Sequence, residues 1–108
     1  MSKKLLIYLK DIKIAIISIE KFIEGLDYNQ FKVDDKTSSA IIRKFEIIGE
    51  ATKNIPKVIR DQYPQIPWKD IIGMRDKLIH AYSKVDLKLV WTTIHQRGYP
   101  ALNLLLKS

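Results

Sequence analysis

The N-terminal stretch constrains the fold most strongly, because its apolar side chains recur at a spacing that places them on one face of an α-helix. Between Leu5 and Ile23 the apolar positions step by three and four residues, at Leu5, Leu9, Ile12, Ile16, Ile19 and the pair Phe22 and Ile23. Gly25 then supplies a stop signal. We therefore predict a long amphipathic helix that ends near Gly25, in a chain built by packing helices together.

A second helix is predicted to begin at Asp34 or Asp35, either of which suits an N-cap, and to run to about Lys53. Its predicted buried face consists of Ala40, Ile41, Phe45, Ile47, Ile48 and Ala51, and Gly49 marks a point of close packing. The segment from Leu26 to Lys36 mixes polar and aromatic residues without a clear period. It is predicted to be a long connection.

Prolines divide the rest of the chain. Pro56 suits the first turn of a short helix ending near Gln62, Pro64 ends that helix, and Pro67 starts the next one. The next helix is predicted to reach about Tyr82, with Trp68, Ile71, Ile72, Leu78 and Ile79 on its core side. Asp86 caps a helix through Trp91 and Ile94, which Gly98 and Pro100 end before a final turn. The prediction is an all-α bundle of about five helices in one domain, residues 1–108.

Composition narrows the class of function. The chain of 108 residues contains no cysteine, which excludes a disulfide scaffold, a thiol nucleophile and cysteine-based metal sites. A formal charge of +7 favours a polyanionic partner such as nucleic acid, although lysines spread along the chain could equally serve solubility. Lys10, Asp11 and Lys13 interrupt the first apolar run too early for a signal peptide, and no stretch approaches a membrane span. We predict a cytoplasmic protein.

The predicted helix beginning at Pro67 carries the residues with chemical potential. At about 100° per residue, Trp68, Ile72, Arg75, Ile79 and Tyr82 form one stripe. Arg75 interrupts an apolar face, and a buried arginine needs an anionic partner. We therefore expect an anion, or a carboxylate such as that of Glu50, beside it.

His80 follows Arg75 by five residues, which rotates it by about 140° on a regular helix, so the two side chains of one chain point apart. Asp76, four residues before His80, can share its face and could orient the imidazole or raise its pKa for acid–base work. Two copies of the helix that meet around a two-fold axis would bring the groups into one cleft and supply two histidines.

Structural roles are the alternatives for the same residues. His80 could be a structural histidine, and Tyr82 a core or interface aromatic with its hydroxyl at the rim. Trp68 and Trp91 are most simply core anchors, and His95, outside any motif, is a surface or interface residue. Glu46 and Glu50 have no histidine at metal-ligand spacing, so we expect neither a metal site nor a cofactor.

The stretch Arg75, Asp76, His80 and Tyr82 resembles the HEPN superfamily signature of an arginine, a polar residue and a histidine. The tyrosine two residues after the histidine gives Arg-x4-His-x-Tyr, which resembles the HepT toxin branch. Flanking segments are similar as well and occur in the expected order: Glu46-Ile47-Ile48-Gly49-Glu50-Ala51, Trp68-Lys69-Asp70-Ile71-Ile72-Gly73-Met74 and Val85-Asp86. The resemblance covers nearly the whole chain. Asp76 departs from the asparagine of many relatives but keeps a short polar side chain.

The resemblance implies a four- or five-helix bundle, a homodimer with the motif helices at its interface, and metal-independent cleavage of RNA, either tRNA or mRNA. It also implies a cognate MntA-type nucleotidyltransferase that acts as antitoxin by transferring AMP to Tyr82. In this interpretation Arg75 and His80 are catalytic, Asp76 supports them and no metal takes part. The alternatives are a non-catalytic helical partner that presents Tyr82 or a substrate to the nucleotidyltransferase, and a dimerisation module with a degenerate site.

Overall fold

The computed structural model describes residues 3–80 and 86–96, apart from the side chains at positions 74, 75, 77–80 and 96. These residues form six helices: α1 (Lys3–Ile23), α2 (Tyr28–Val33), α3 (Asp35–Lys53), α4 (Lys57–Arg60), α5 (Trp68–His80) and α6 (Leu87–Gln96). The described part contains no β-strand, which confirms the all-α prediction. None of its helices combines the length and apolar character needed to cross a membrane.

Helix α1 follows the predicted stripe. Leu5, Ile12, Ile16 and Ile19 are buried, and Leu9 and Ile23 pack partly buried against them, whereas Phe22 keeps 39% of its surface exposed. The helix ends as predicted before Gly25, whose positive φ of 77° is a backbone conformation that favours glycine. The backbone N–H of Leu26 donates to the carbonyl of Ile23 (2.9 Å) and closes the last turn.

The connection predicted between Leu26 and Lys36 is wrong, because it contains the helix α2. Asp27 accepts a hydrogen bond from the backbone N–H of Gln30 (2.8 Å), while the Gln30 side chain accepts one from the backbone N–H of Asp27 (2.9 Å). This reciprocal capping box starts the helix. Phe31 then anchors it, because its side chain is completely buried.

Helix α3 lies at the centre of the fold. It begins after the N-cap Asp34 and ends at Lys53, both as predicted. Ile41, Phe45, Ile48, Gly49 and Ala51 are buried, whereas Ala40 and Ile47 are only partly so. Helices α1, α2 and α5 all pack against α3, and α6 packs against α2.

The proline boundaries are confirmed. Pro56 precedes the short helix α4, and Pro67 precedes α5. Asp86 caps α6, because its carboxylate accepts a hydrogen bond from the backbone N–H of Leu89 (3.0 Å). The predicted end of α6 at Gly98 and Pro100 lies outside the described residues.

Both tryptophans pack against the core, as predicted. The Trp91 ring on α6 lies 5.2 Å from that of Phe31 and 6.1 Å from that of Tyr28, measured between centroids. These contacts fasten α6 to α2, and the edge-on arrangement with Tyr28 is a favourable geometry for aromatic pairs.

Candidate functional site

The N-terminal end of α5 is fixed by Trp68. Its indole N–H lies 3.0 Å from the carbonyl oxygen of Arg60 and 3.1 Å from that of Tyr63, and donates to both. The backbone N–H of Trp68 donates to the carbonyl of Ile66 (2.8 Å), and that of Ile71 to the carbonyl of Pro67 (3.1 Å). The α4–α5 connection therefore sets where α5 starts and in which direction it runs.

One side of α5 faces the core. Ile71 is buried, Ile72 is partly buried, and the helix packs against α3. Position 75 follows Ile71 by one turn and Ile72 by three residues, so the helical register places it between the two isoleucine lines. Position 75 therefore lies on the stripe that the sequence pattern assigns to it, and what the Arg75 side chain contacts stays a prediction.

The opposite side of α5 is open. Lys69 and Asp76 are exposed, and a Cβ built on Gly73 would meet no atom within 4 Å. Position 80 lies seven residues beyond Gly73, about 20° away around the helix axis. We call Lys69, Gly73 and Asp76 the open stripe of α5, and the helical register places position 80 in line with it.

Because residues 68–80 are one continuous helix, Arg75, Asp76 and His80 belong to the same element, as predicted. The register separates positions 75 and 80 by about 140° around the axis and 7.5 Å along it. Asp76 is exposed, the side chains of Arg75 and His80 lie outside the described set, and Tyr82 lies outside the described residues altogether. The structure therefore fixes the placement of three motif positions on the helix.

The acidic residues of α3 line a groove that the sequence analysis missed. An open cavity of about 370 Å³ lies between α1 and α3 and is lined in part by Tyr8, Asp11, Arg43, Glu46, Glu50 and Asn54. Arg43 forms an ion pair with Glu46, with 3.2 Å between Nη1 and Oε2. Within the described residues no three histidine, aspartate or glutamate side chains lie close enough together to hold a metal ion. These residues come together only because α1 packs against α3. Residue spacing along the sequence does not reveal how the two helices pack.

His95 is an exposed residue of α6, as predicted. Its Nδ1 lies 2.8 Å from the carbonyl oxygen of Trp91, and its ring centroid lies 4.4 Å from that of Trp91. Because a carbonyl oxygen only accepts, Nδ1 must carry the hydrogen in this contact. His95 thus packs against Trp91, the residue whose ring contacts join α6 to α2.

Comparison with known proteins identifies the class to which this bundle and its motif helix belong. Residues 12–108 match the family model described as ribonuclease HepT-like. The chain therefore belongs to the HepT-like ribonuclease family of the HEPN superfamily.

Three relatives illustrate the match. A Thermococcus cleftensis protein provisionally named ribonuclease HepT is 48% identical over 89 residues, which cover 82% of this chain and 81% of the relative. A Methanocaldococcus jannaschii protein provisionally named an RNase is 48% identical over 86 residues, covering 80% and 74%. Another, from Caldanaerobacter subterraneus subsp. tengcongensis, is 46% identical over 72 residues, covering 67% and 64%. No solved structure matches the chain significantly.

Proposed function

We propose that this protein is a toxin that cleaves RNA without a metal ion, at a site completed by a second copy of the chain. Membership of the HepT-like ribonuclease family supports RNA as the substrate. The observation that carries the residue assignment is the continuous helix α5, which holds Arg75, Asp76 and His80 in one register.

Cleavage of RNA without a metal needs two proton transfers and a positive charge. A base removes the proton of the ribose 2′-hydroxyl, the 2′-oxygen attacks the adjacent phosphorus, and the bond from phosphorus to the 5′-oxygen breaks. An acid then protonates the departing 5′-oxygen. In the proposal His80 of each copy serves one of the proton transfers, and Arg75 neutralises the charge on the phosphorane oxygens.

The offset between positions 75 and 80 supports a site shared by two copies. One helix alone directs these positions about 140° apart, whereas a second α5 related by a two-fold axis supplies a histidine to the cleft of its partner. The open stripe of α5 suits such an approach, because Gly73 has no side chain and a Cβ added there would meet no atom within 4 Å.

The same proposal includes regulation at Tyr82, two residues after His80. A cognate nucleotidyltransferase of the MntA type would transfer AMP from ATP: the tyrosine oxygen attacks the α-phosphorus and pyrophosphate leaves. In the helical register predicted from the sequence, Tyr82 shares a stripe with Arg75, so the attached group adds a negative phosphate and a bulky base beside Arg75. It would exclude RNA by both charge and volume, and the nucleotidyltransferase would act as antitoxin.

The direct test compares the two histidines of the chain. With purified, unmodified protein and labelled cellular RNA in EDTA, the wild type should cleave and leave cyclic 2′,3′-phosphate ends. His80→Ala should cleave RNA at least a thousandfold more slowly while keeping the wild-type circular dichroism spectrum and oligomeric state. His95→Ala is the matched control and should cleave at close to the wild-type rate.

Two outcomes contradict the ribonuclease proposal. Full cleavage by His80→Ala would remove the catalytic assignment. A wild-type protein that is inert towards every RNA tested would favour the alternative of a non-catalytic partner of a nucleotidyltransferase.

The regulatory part is tested separately by co-expression with a nucleotidyltransferase of the MntA type. Peptide mass spectrometry should locate added AMP on Tyr82, and the modified protein should lose RNA cleavage. Tyr82→Phe should stay unmodified and active under the same conditions. AMP on another tyrosine, or an unmodified Tyr82 in an inhibited protein, would contradict this mode of control.

A further inference from the structure

Helix α1 has a second apolar face, which the core does not use. Ile12, Ile16 and Ile19 are buried on the side that packs against α3. On the opposite side Leu6, Ile7, Ile14 and Ile17 keep between 41 and 56% of their surface exposed. Single exposed apolar residues are common, but a cluster of large ones on one face is typical of an interaction site.

Three lysines share this face. At about 100° per residue, Leu6, Ile7, Ile14 and Ile17 span an arc of about 100°, and the exposed Lys3, Lys10 and Lys21 fall near its centre. The two carboxylates of α1, Asp11 and Glu20, lie outside the arc. We call these seven positions the outer face of α1: four aliphatic side chains around a central row of positive charge.

We infer that the outer face of α1 docks an acidic protein partner, in the form of an amphipathic helix that carries a central row of carboxylates with apolar side chains on both sides of it. The aliphatic side chains would bury apolar area against the partner. The carboxylates would pair with Lys3, Lys10 and Lys21, whose charges would otherwise be desolvated without compensation. Apolar residues at helical spacing are the usual anchors when one helix docks on another.

The placement of the lysines favours a protein over the other occupants. In a second copy docked face to face, the two lysine rows would oppose each other with no carboxylate inside the arc to separate them. A membrane would receive the lysines at the deepest point of the apolar face, whereas snorkelling requires them at its edges. RNA phosphates would pair with the lysines but leave the four aliphatic side chains without an apolar partner.

The outer face of α1 is separate from the motif helix. Helices α1 and α5 each pack against α3, and α1 carries none of the motif residues. A partner bound to α1 therefore uses a different element from the open stripe of α5. The inference does not depend on ribonuclease activity, because binding is measured without RNA.

The test uses two synthetic helical peptides with the same two lines of leucines, separated by a central row of glutamates in one peptide and of lysines in the other. Fluorescence anisotropy should show that the full chain binds the glutamate peptide at least tenfold more tightly. Ile14→Ser combined with Ile17→Ser should weaken this binding about tenfold, because two half-exposed isoleucines lose the area that they would bury. Lys10→Glu should shift the preference towards the lysine peptide.

The matched control removes exposed apolar area elsewhere. Val33 on α2 and Val58 on α4 are 77 and 65% exposed, so Val33→Ser combined with Val58→Ser should bind the glutamate peptide like the wild type. Circular dichroism checks that every variant is folded.

Four results would overturn the inference: equal binding of the two peptides, binding of neither, displacement of the glutamate peptide by RNA, or self-association that the Ile14 and Ile17 substitutions abolish. A fifth result, stronger binding to vesicles of anionic lipid than to the glutamate peptide, would also overturn the inference by assigning the face to a membrane.

Discussion

Asp34 defines the start of the central helix. Its Oδ1 accepts a hydrogen bond from the backbone N–H of Thr37 (3.0 Å), and its Oδ2 accepts one from the Thr37 hydroxyl (2.6 Å). The side-chain bond from Thr37, followed by the backbone bond from Thr37, holds the pKa of Asp34 below the usual 3.8. Burial opposes this shift, and the charge of Lys36 adds a smaller lowering effect. The charged carboxylate is thus the form that stabilises the first turn of α3.

This linkage predicts a pH-dependent stability. Because the pKa of Asp34 is lower in the folded chain, its contribution is fully present above the unfolded pKa near 3.8 and is lost as pH falls through the folded pKa. Asp34→Ala should lower the urea midpoint at neutral pH, and the difference from wild type should shrink as the pH falls below about 4. Asp35→Ala, in the same turn but not at the cap, is the control and should lower the urea midpoint less. A gap between wild type and Asp34→Ala that stays constant down to the lowest pH would contradict the role of the charged cap.

Caps and stops such as Asp34, Gly25 and Asp86 were predictable because each depends on neighbours within a few residues. The helical positions of Arg75, Asp76 and His80 were predictable for the same reason, since only helix register is involved. What the side chains of Arg75 and His80 contact across the bundle or across a dimer depends on tertiary geometry. Spacing along the chain therefore left the role of Arg75 open between an anion and Glu50.

Helix α2 is an element that hydrophobic periodicity fails to predict. The helix has only six residues and one fully buried side chain, Phe31, so no repeat exists to detect. Its signal was chemical: Asp27 and Gln30 stand at the spacing of a capping box. Hydrophobic periodicity alone therefore does not distinguish this segment from a connection.

Phe31 should therefore contribute much of the stability that α2 brings. Its side chain is fully buried and its ring packs against Trp91. Phe31→Ala should lower the free energy of unfolding by about 3–5 kcal/mol, measured by urea denaturation. Val33→Ala in the same helix is the control and should change it by less than about 0.5 kcal/mol, because Val33 is exposed. Equal effects of the two substitutions would contradict the docking of α2 by Phe31.

At the scale of the whole molecule, the sequence pattern predicted the inner face of α1 and overlooked the outer one. Leu6, Ile7, Ile14 and Ile17 lie off the predicted stripe and in the structure they remain exposed. A pattern of apolar residues on both sides of a helix indicates burial on two sides, but it does not show what covers the second side. The packing of α1 on α3 was needed to show which face the fold uses.

The proposed site is a property of the assembled molecule, because it requires two copies of the chain. Gly73 offers a way to separate the copies, since a Cβ added there would meet no atom within 4 Å. Gly73→Leu should keep or raise the free energy of unfolding of the monomer, by up to about 1 kcal/mol, because glycine is a poor helix former. The same leucine should obstruct a second α5 at the open stripe.

The most direct test measures RNA cleavage per chain against the fraction of dimer, determined by sedimentation velocity in the same solutions. Dilution of the wild type lowers its dimer fraction step by step, and the Gly73→Leu variant extends this range towards the monomer. The proposal predicts that activity per chain falls in proportion to the dimer fraction, and that folded Gly73→Leu monomers are inactive although Arg75, His80 and Tyr82 are intact. Monomers that cleave RNA at the wild-type rate would contradict it.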